Sequence, residues 1–149
     1  MISQGSIALG GGTSFQKKFG VEDSADQVYL ENTRPDHVHT RYADRKVVRA
    51  FADHNVEAFE FLLANGVSFI DAKPANVPAE GVMTLRRQTT RPWSQDLKET
   101  INGTAGSGLM RALEKSARGK GVEILLEHRM TRIVREKPTS GPVLGITGH

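Results

Sequence analysis

The strongest pattern along the chain is an amphipathic run over residues 44–65. Val48, Phe51, Asn55, Ala58, Phe59 and Leu62 recur at helical spacing, while Arg49, Asp53, Glu57 and Glu60 fall on the other side. Asp44 can cap the start of this helix. Asn65 and Gly66 can stop it, because glycine adopts the left-handed conformation that ends many helices. The spacing predicts an aromatic stripe of Phe51, Phe59 and Phe61 in the core, with His54 and Glu57 together on the solvated face. A shorter helix is predicted from Ser24, which forms a capping-box pattern with Gln27. Val28, Tyr29 and Leu30 give it an apolar face, and it ends near residues 32–34 because Pro35 disfavours helix at the residue before it. A third helix is predicted over 109–118. Leu109, Ala112, Leu113, Ser116 and Ala117 form its inner face, and Glu114 and Arg118 make a favourable i,i+4 pair.

Strand patterns are shorter. Residues 67–70 read as one strand. Residues 122–126 are almost continuously apolar, as in a buried parallel strand. Residues 129–135, anchored by Met130 and Ile133, and residues 142–147 flank a turn at Lys137, Pro138, Thr139, Ser140 and Gly141, which predicts a hairpin. From 71 to 102 no period is evident, and Pro74, Pro78 and Pro92 punctuate the run. A connection of about 30 residues is too long to be inert in a compact domain. Arg86, Arg87, Arg91 and Trp93 lie in it. Two readings of them stand level: contacts to an anionic substrate or partner chain, and a solvated loop with one packed indole.

Chemistry enters with the glycines. Between Ser3 and Thr13 stand Gly5, Gly10, Gly11 and Gly12, with the hydroxyls of Ser3, Ser6 and Thr13 among them and no charged side chain. Successive N–H groups in such a loop can form an anion-binding nest. The loop could take a phosphate, a pyrophosphate or the polar edge of a flat cofactor. A flexible N-terminal tail is the other reading. The spacing is neither that of a dinucleotide fingerprint nor that of a P-loop. A second glycine-rich turn, 102–108, leads into the third helix, where free N–H groups and the positive end of the helix dipole gather. That turn is either a ligand contact or an ordinary helix start.

Composition narrows the field. A chain of 149 residues suits one domain, and 38% hydrophobic with 6% aromatic residues gives a lean core. The absence of cysteine excludes disulfides and thiolate metal sites and fits a cytoplasmic setting. No apolar run approaches the roughly 20 residues of a membrane span, and no signal-peptide pattern opens the chain. The net charge is +3, but the basic residues of 115–137 alternate with Glu114, Glu123, Glu127 and Glu136, which reads as a solvated face and not a nucleic-acid surface. His37 and His39 lie two apart with no third ligand at convincing spacing, so no metal is expected.

Three stretches resemble one family: the flavoproteins of the fumarate reductase and succinate dehydrogenase type, with the related ketosteroid dehydrogenases. The first is the loop from Ser3 to Ala8 and on to Gly12 and Thr13. The second runs from Glu22, Asp23 and Ser24 through two helices to Gly66 and Val67. The third joins Gly106, Ser107, Gly108 and Leu109 to Leu113, then Gly121, Val122, Glu123 and Ile124, then the strand at 130–134 and Gly141, Pro142, Val143, Leu144 and Gly145. The resemblance implies an α/β fold: a partial FAD-binding, Rossmann-like domain of the glutathione-reductase type, with helices and a C-terminal β-hairpin or meander. It implies an incomplete domain over 1–149, divided into a flavin-side loop (1–20), a helical segment (23–70), a long loop (71–105) and a helix, strand and hairpin (106–149).

The implied cofactor is FAD and the implied reaction is hydride transfer between the flavin and a C–C bond of a small acid or ketosteroid-like substrate. Gly5, Ser6, Ile7 and Ala8 are similar to the family's flavin-side loop, which Gly11, Gly12 and Thr13 continue. Gly106 and Ser107 would face the flavin or the substrate cleft, and Met130 would bring its backbone near adenine. No residue qualifies as a catalytic acid or base. The G-x-G-x-x-G fingerprint and the acidic residue that follows it are absent from these residues. The expectation is therefore an internal slice of a longer enzyme, with apolar edges that promote self-association. A non-catalytic remnant without flavin and a basic nucleic-acid module are the alternatives.

Overall fold

The computed structural model describes residues 5–36, 40–75, 86–91 and 106–149. Two compact units divide the chain, Met1–Ala117 and Arg118–His149. The element order is β1 (Ser6–Ala8), α1 (Ser14–Lys18), α2 (Ala25–Glu31), α3 (Arg45–Ala64), β2 (Arg87–Thr89), α4 (Gly106–Gly119), β3 (Met130–Arg135) and β4 (Val143–Gly148).

The helices begin where side-chain oxygens can take the first free N–H groups. Asp44 accepts from Lys46 and Val47 at the head of α3, and Ser24 accepts from Gln27 at the head of α2. Helix α1 was not expected. Its signal is nonetheless in the sequence: Thr13 and Gln16 form a reciprocal capping box. Helix α4 starts at Gly106, one turn before the expected 109.

The first unit closes on Phe59, Val67, Phe69 and Ala112, with Ile7, Leu9, Phe15, Leu62, Leu63, Leu109 and Leu113 packed around them. Phe15, Phe59 and Phe69 meet at centroid distances of 4.8–5.7 Å. The buried line of α3 is Ala52, Asn55 and Phe59. Phe51 and Phe61, expected inside, are 47% and 56% exposed. The reason is angular. At about 100° per residue, Phe61 lies about 200° around the axis from Phe59, and Phe51 about 80° off.

The segment at 67–70 is extended, as expected, but pairs through a single bridge between Phe69 and Thr90. Thr90 directly follows β2, which the sequence concealed inside the long proline-punctuated run. β2 also pairs antiparallel with β1, Ser6 facing Thr89, Ile7 facing Gln88 and Ala8 facing Arg87.

In the second unit β3 and β4 form the expected antiparallel hairpin, with register irregularities at Met130/Arg132 and Val134/Arg135. The strand expected at 122–126 does not form. An apolar run becomes a strand only when a neighbour completes its backbone ladder. No described strand pairs with this one, and Val122, Leu125 and Leu126 are 52%, 58% and 72% exposed. His37, His39 and Trp93 lie outside the described residues.

Candidate functional site: the glycine loop and its buried ion pairs

The loop after β1 is built by what its amides donate to. Gly11 and Gly12 carry φ of +88° and +97°, a turn that side chains other than glycine rarely adopt. This conformation aims successive N–H groups inward. The Gly11 amide donates to Asp23 Oδ2 at 2.8 Å. The amides of Gly12 and Thr13 both donate to Gln16 Oε1, at 2.9 and 3.0 Å. Gln16 Nε2 in turn donates to Asp23 Oδ2 at 2.8 Å. The nest expected from the glycines exists, but this protein's own carboxylate and amide fill it.

Beneath the loop lies a charge cluster that the sequence did not announce. The Arg86 side chain donates to Asp23 Oδ1 at 3.2 Å and, through its other terminal nitrogen, to Glu31 Oε2. All three are shut away from solvent, with side chains 8%, 0% and 4% exposed. Ser24 N–H adds a donor to Asp23 at 2.8 Å, and Gln27 Nε2 one to Glu31 at 2.8 Å. The Arg34 guanidinium also feels the charge of Glu31. The Arg86 stem is pressed on Gly10: a Cβ there would come within 2.5 Å of Arg86 Cγ. Arg86 Nε is buried without a hydrogen-bond partner among the described residues. Gln88, two residues on, donates to the carbonyls of Leu9 and Arg86. β2 thus holds the glycine loop through Arg86 and Gln88 and holds Gly5 through Thr90, whose N–H and hydroxyl both donate to the Gly5 carbonyl at 2.9 Å.

On the ribbon itself, Gly5 is buried, Ser6 and Ile7 are half-buried and Ala8 is exposed. Ser6 Oγ accepts from Arg87 at 3.2 Å. Arg87 also lines a cavity of about 220 Å³ with Lys73, Thr89, Ile70, Ala72, Ala75 and Gln88, two cations and no carboxylate among the described residues. Gly106 and Ser107 open α4, and Leu109 packs on the same core cluster as Ile7 and Leu9. Met130 begins β3 in the second unit and is 56% exposed.

The sequence profile of the family described as an FAD binding domain matches residues 1–149. The chain belongs to the FAD binding domain family. FAD is accordingly its cofactor. Among solved structures, the 3-ketosteroid-Δ4-(5α)-dehydrogenase from Rhodococcus jostii RHA1, in complex with 4-androstene-3,17-dione, matches 99% of this FAD-binding domain over 33% of its own length, at 23% identity and a TM-score of 0.70. The open conformation of a flavocytochrome c3 fumarate reductase matches 96% over 23% of its own length, at 22% identity and a TM-score of 0.61. Both are likenesses of fold, and the chain spans a third or less of either protein. The resemblance to fumarate reductase and ketosteroid dehydrogenase flavoproteins agrees with both. A comparison with curated proteins finds no match.

The donor set of the loop suits one end of FAD and not the other. The amides of Gly11, Gly12 and Thr13 are taken by Asp23 and Gln16, so a diphosphate would find these donors already occupied. Ser6 and Ala8 offer a small surface beside the Arg87 guanidinium, while Ile7 packs against the core.

Proposed function

We propose that this chain forms the flavin-facing part of an FAD-dependent oxidoreductase, of the glutathione-reductase type of FAD domain. The observation that carries the reading is the loop at 5–13, whose amides are turned inward while the small residues Ser6 and Ala8 stay partly exposed. Gly5, Ser6, Ile7 and Ala8 hold the flavin side, with Gly11, Gly12 and Thr13 fixing their course. Gly106 and Ser107 line the flavin or the substrate cleft, and Met130 offers its backbone to the adenine end. When bound, FAD supplies hydride transfer to or from a C–C bond of the substrate. The chain's own residues position and insulate: Ser6 presents a hydroxyl whose orientation Arg87 fixes, and Ile7 keeps one side of the ribbon apolar.

The cavity beside Arg87 and Lys73 favours a small carboxylic acid over a ketosteroid, because the two cations in its described lining stabilise an anion. The test is FAD titration of the purified chain, followed by flavin absorbance and fluorescence. Saturable binding that is weakened by Ser6→Trp supports the reading. A chain that stays colourless at saturating FAD refutes it and leaves the non-catalytic remnant. Succinate that perturbs the bound flavin more than androstenedione does supports the acid, and the reverse order favours the steroid.

A further inference from the structure

We infer that Arg86 is a positioning residue for the flavin-facing loop, and that the Asp23–Arg86–Glu31 cluster is the device through which it acts. The inference rests on the loop at 5–13 being flavin-side, as proposed above.

Arg86 makes three contacts that converge on one loop. Its stem fills the space over Gly10, where any side chain would collide. Its guanidinium holds Asp23, and the other oxygen of Asp23 takes the Gly11 amide. Its second terminal nitrogen reaches Glu31 at the end of α2. Asp23 and Glu31 are buried carboxylates, and the guanidinium between them ties both to the same side chain. The guanidinium is suited to this because its planar fork can serve two carboxylates at once, which a lysine ammonium does with less fixed geometry. The loop's course is therefore set before any ligand arrives. Binding then need not order the loop, and preorganisation of that kind raises affinity by lowering the entropy lost on association.

The decisive experiment uses the whole chain in three forms: Arg86→Lys, Arg86→Met, and Arg86→Met with Glu31→Gln. The double variant keeps the buried net charge of the wild type, since one cation and one anion are removed together. Glu57→Gln, on the solvent face of α3, is the control. Amide hydrogen exchange is measured without ligand at Gly11, Gly12 and Thr13 and at Phe59 in the core. The expected result is a loss of protection of about tenfold or more in the loop of the double variant, with Phe59 unchanged, and partial recovery in Arg86→Lys. FAD affinity and the fine structure of the visible flavin band are then measured on the same samples. A parallel fall of about tenfold in affinity, with a changed band shape, is expected in the double variant. Loop protection equal to wild type overturns the inference, and so does a uniform loss across loop and core, which marks a merely structural role. If even the wild type takes up no FAD, the flavin reading fails, while the exchange data still decide whether Arg86 sets the loop.

Discussion

Gly10→Ala probes the packing of the glycine loop on β2. The backbone of Gly10 lies outside the left-handed region, so alanine meets no conformational strain of its own. Its Cβ would nevertheless fall 2.5 Å from Arg86 Cγ, 2.6 Å from Cδ and 2.7 Å from Nε. Either the loop lifts or the Arg86 stem moves. Overpacking a filled interior costs about 1–3 kcal/mol, whereas pulling a partner out of a buried ion pair costs about 3–5 kcal/mol. The smaller cost governs, so the loop should shift while Arg86 keeps its carboxylates, and the loss should be about 1–3 kcal/mol. With a urea dependence of about 2 kcal/mol per molar, the unfolding midpoint would fall by roughly 0.5–1.5 M. The assay is urea unfolding followed by circular dichroism, run in the wild type and in a background of Arg86→Ala with Glu31→Gln. Removing the stem should remove most of the penalty, giving a coupling of about 1–3 kcal/mol. An alanine that costs less than about 0.5 kcal/mol, or costs the same in both backgrounds, would show that Arg86 does not press on Gly10.

Three other outcomes are expected. Thr13→Ala removes a fully buried hydroxyl that accepts from the Gln16 amide at 3.2 Å, and should cost about 1–2 kcal/mol in thermal unfolding; a cost near zero would mean the capping box carries no stability. On the solvent face of α3, the hydrogen bond from Arg49 holds the Asp53 carboxyl below its usual range, so its contribution is complete above the ordinary aspartate value of about 4 and is lost as pH falls through the lower folded value. Arg49→Gln should move the Asp53 midpoint upward in an NMR titration, and an unmoved midpoint refutes the pairing. Leu125, Leu126, Leu144 and Ile146 are 58%, 72%, 67% and 65% exposed, which makes the Arg118–His149 unit the expected source of self-association. Leu126→Lys should lower the association seen by sedimentation, and a wild type that is monomeric at every concentration overturns the expectation.

What the sequence made legible was local. Asp44, Ser24 and the heptad-like spacing of α3 place α2 and α3 because caps and periodicity act over a few residues. The turn ending at Gly141 announces β3 and β4 for the same reason. What stayed hidden depends on distant partners. β1 finds β2 across more than 75 residues, and nothing in Arg87, Gln88 and Thr89 by themselves says strand. Conversely, the run at 122–126 has every local mark of a strand and forms none, since its ladder needs a neighbour that no described residue supplies. Phe51 and Phe61 show the limit of reading residue type without angle.

The same division explains the site. The glycines were readable as a loop that gathers N–H groups, but the ligand of those groups was not, because Asp23 reaches them only once Arg86 and Glu31 are packed beneath. A glycine-rich loop with successive free amides would ordinarily suggest an external anion. Here the anion is internal, and that changes what the loop can do. Amides already donating to Asp23 and Gln16 are not available to a diphosphate, so what the loop still offers is its shape and the small residues Ser6 and Ala8. The cost of burying two carboxylates is offset by the guanidinium, by two backbone amides on Asp23 and by the side chains of Gln16 and Gln27. An arrangement with that many fixed partners has little freedom to adapt to a ligand. On the proposed reading a flavin would have to fit the loop as it stands, and substitutions in the cluster should act on affinity through the loop's course and not through any direct contact.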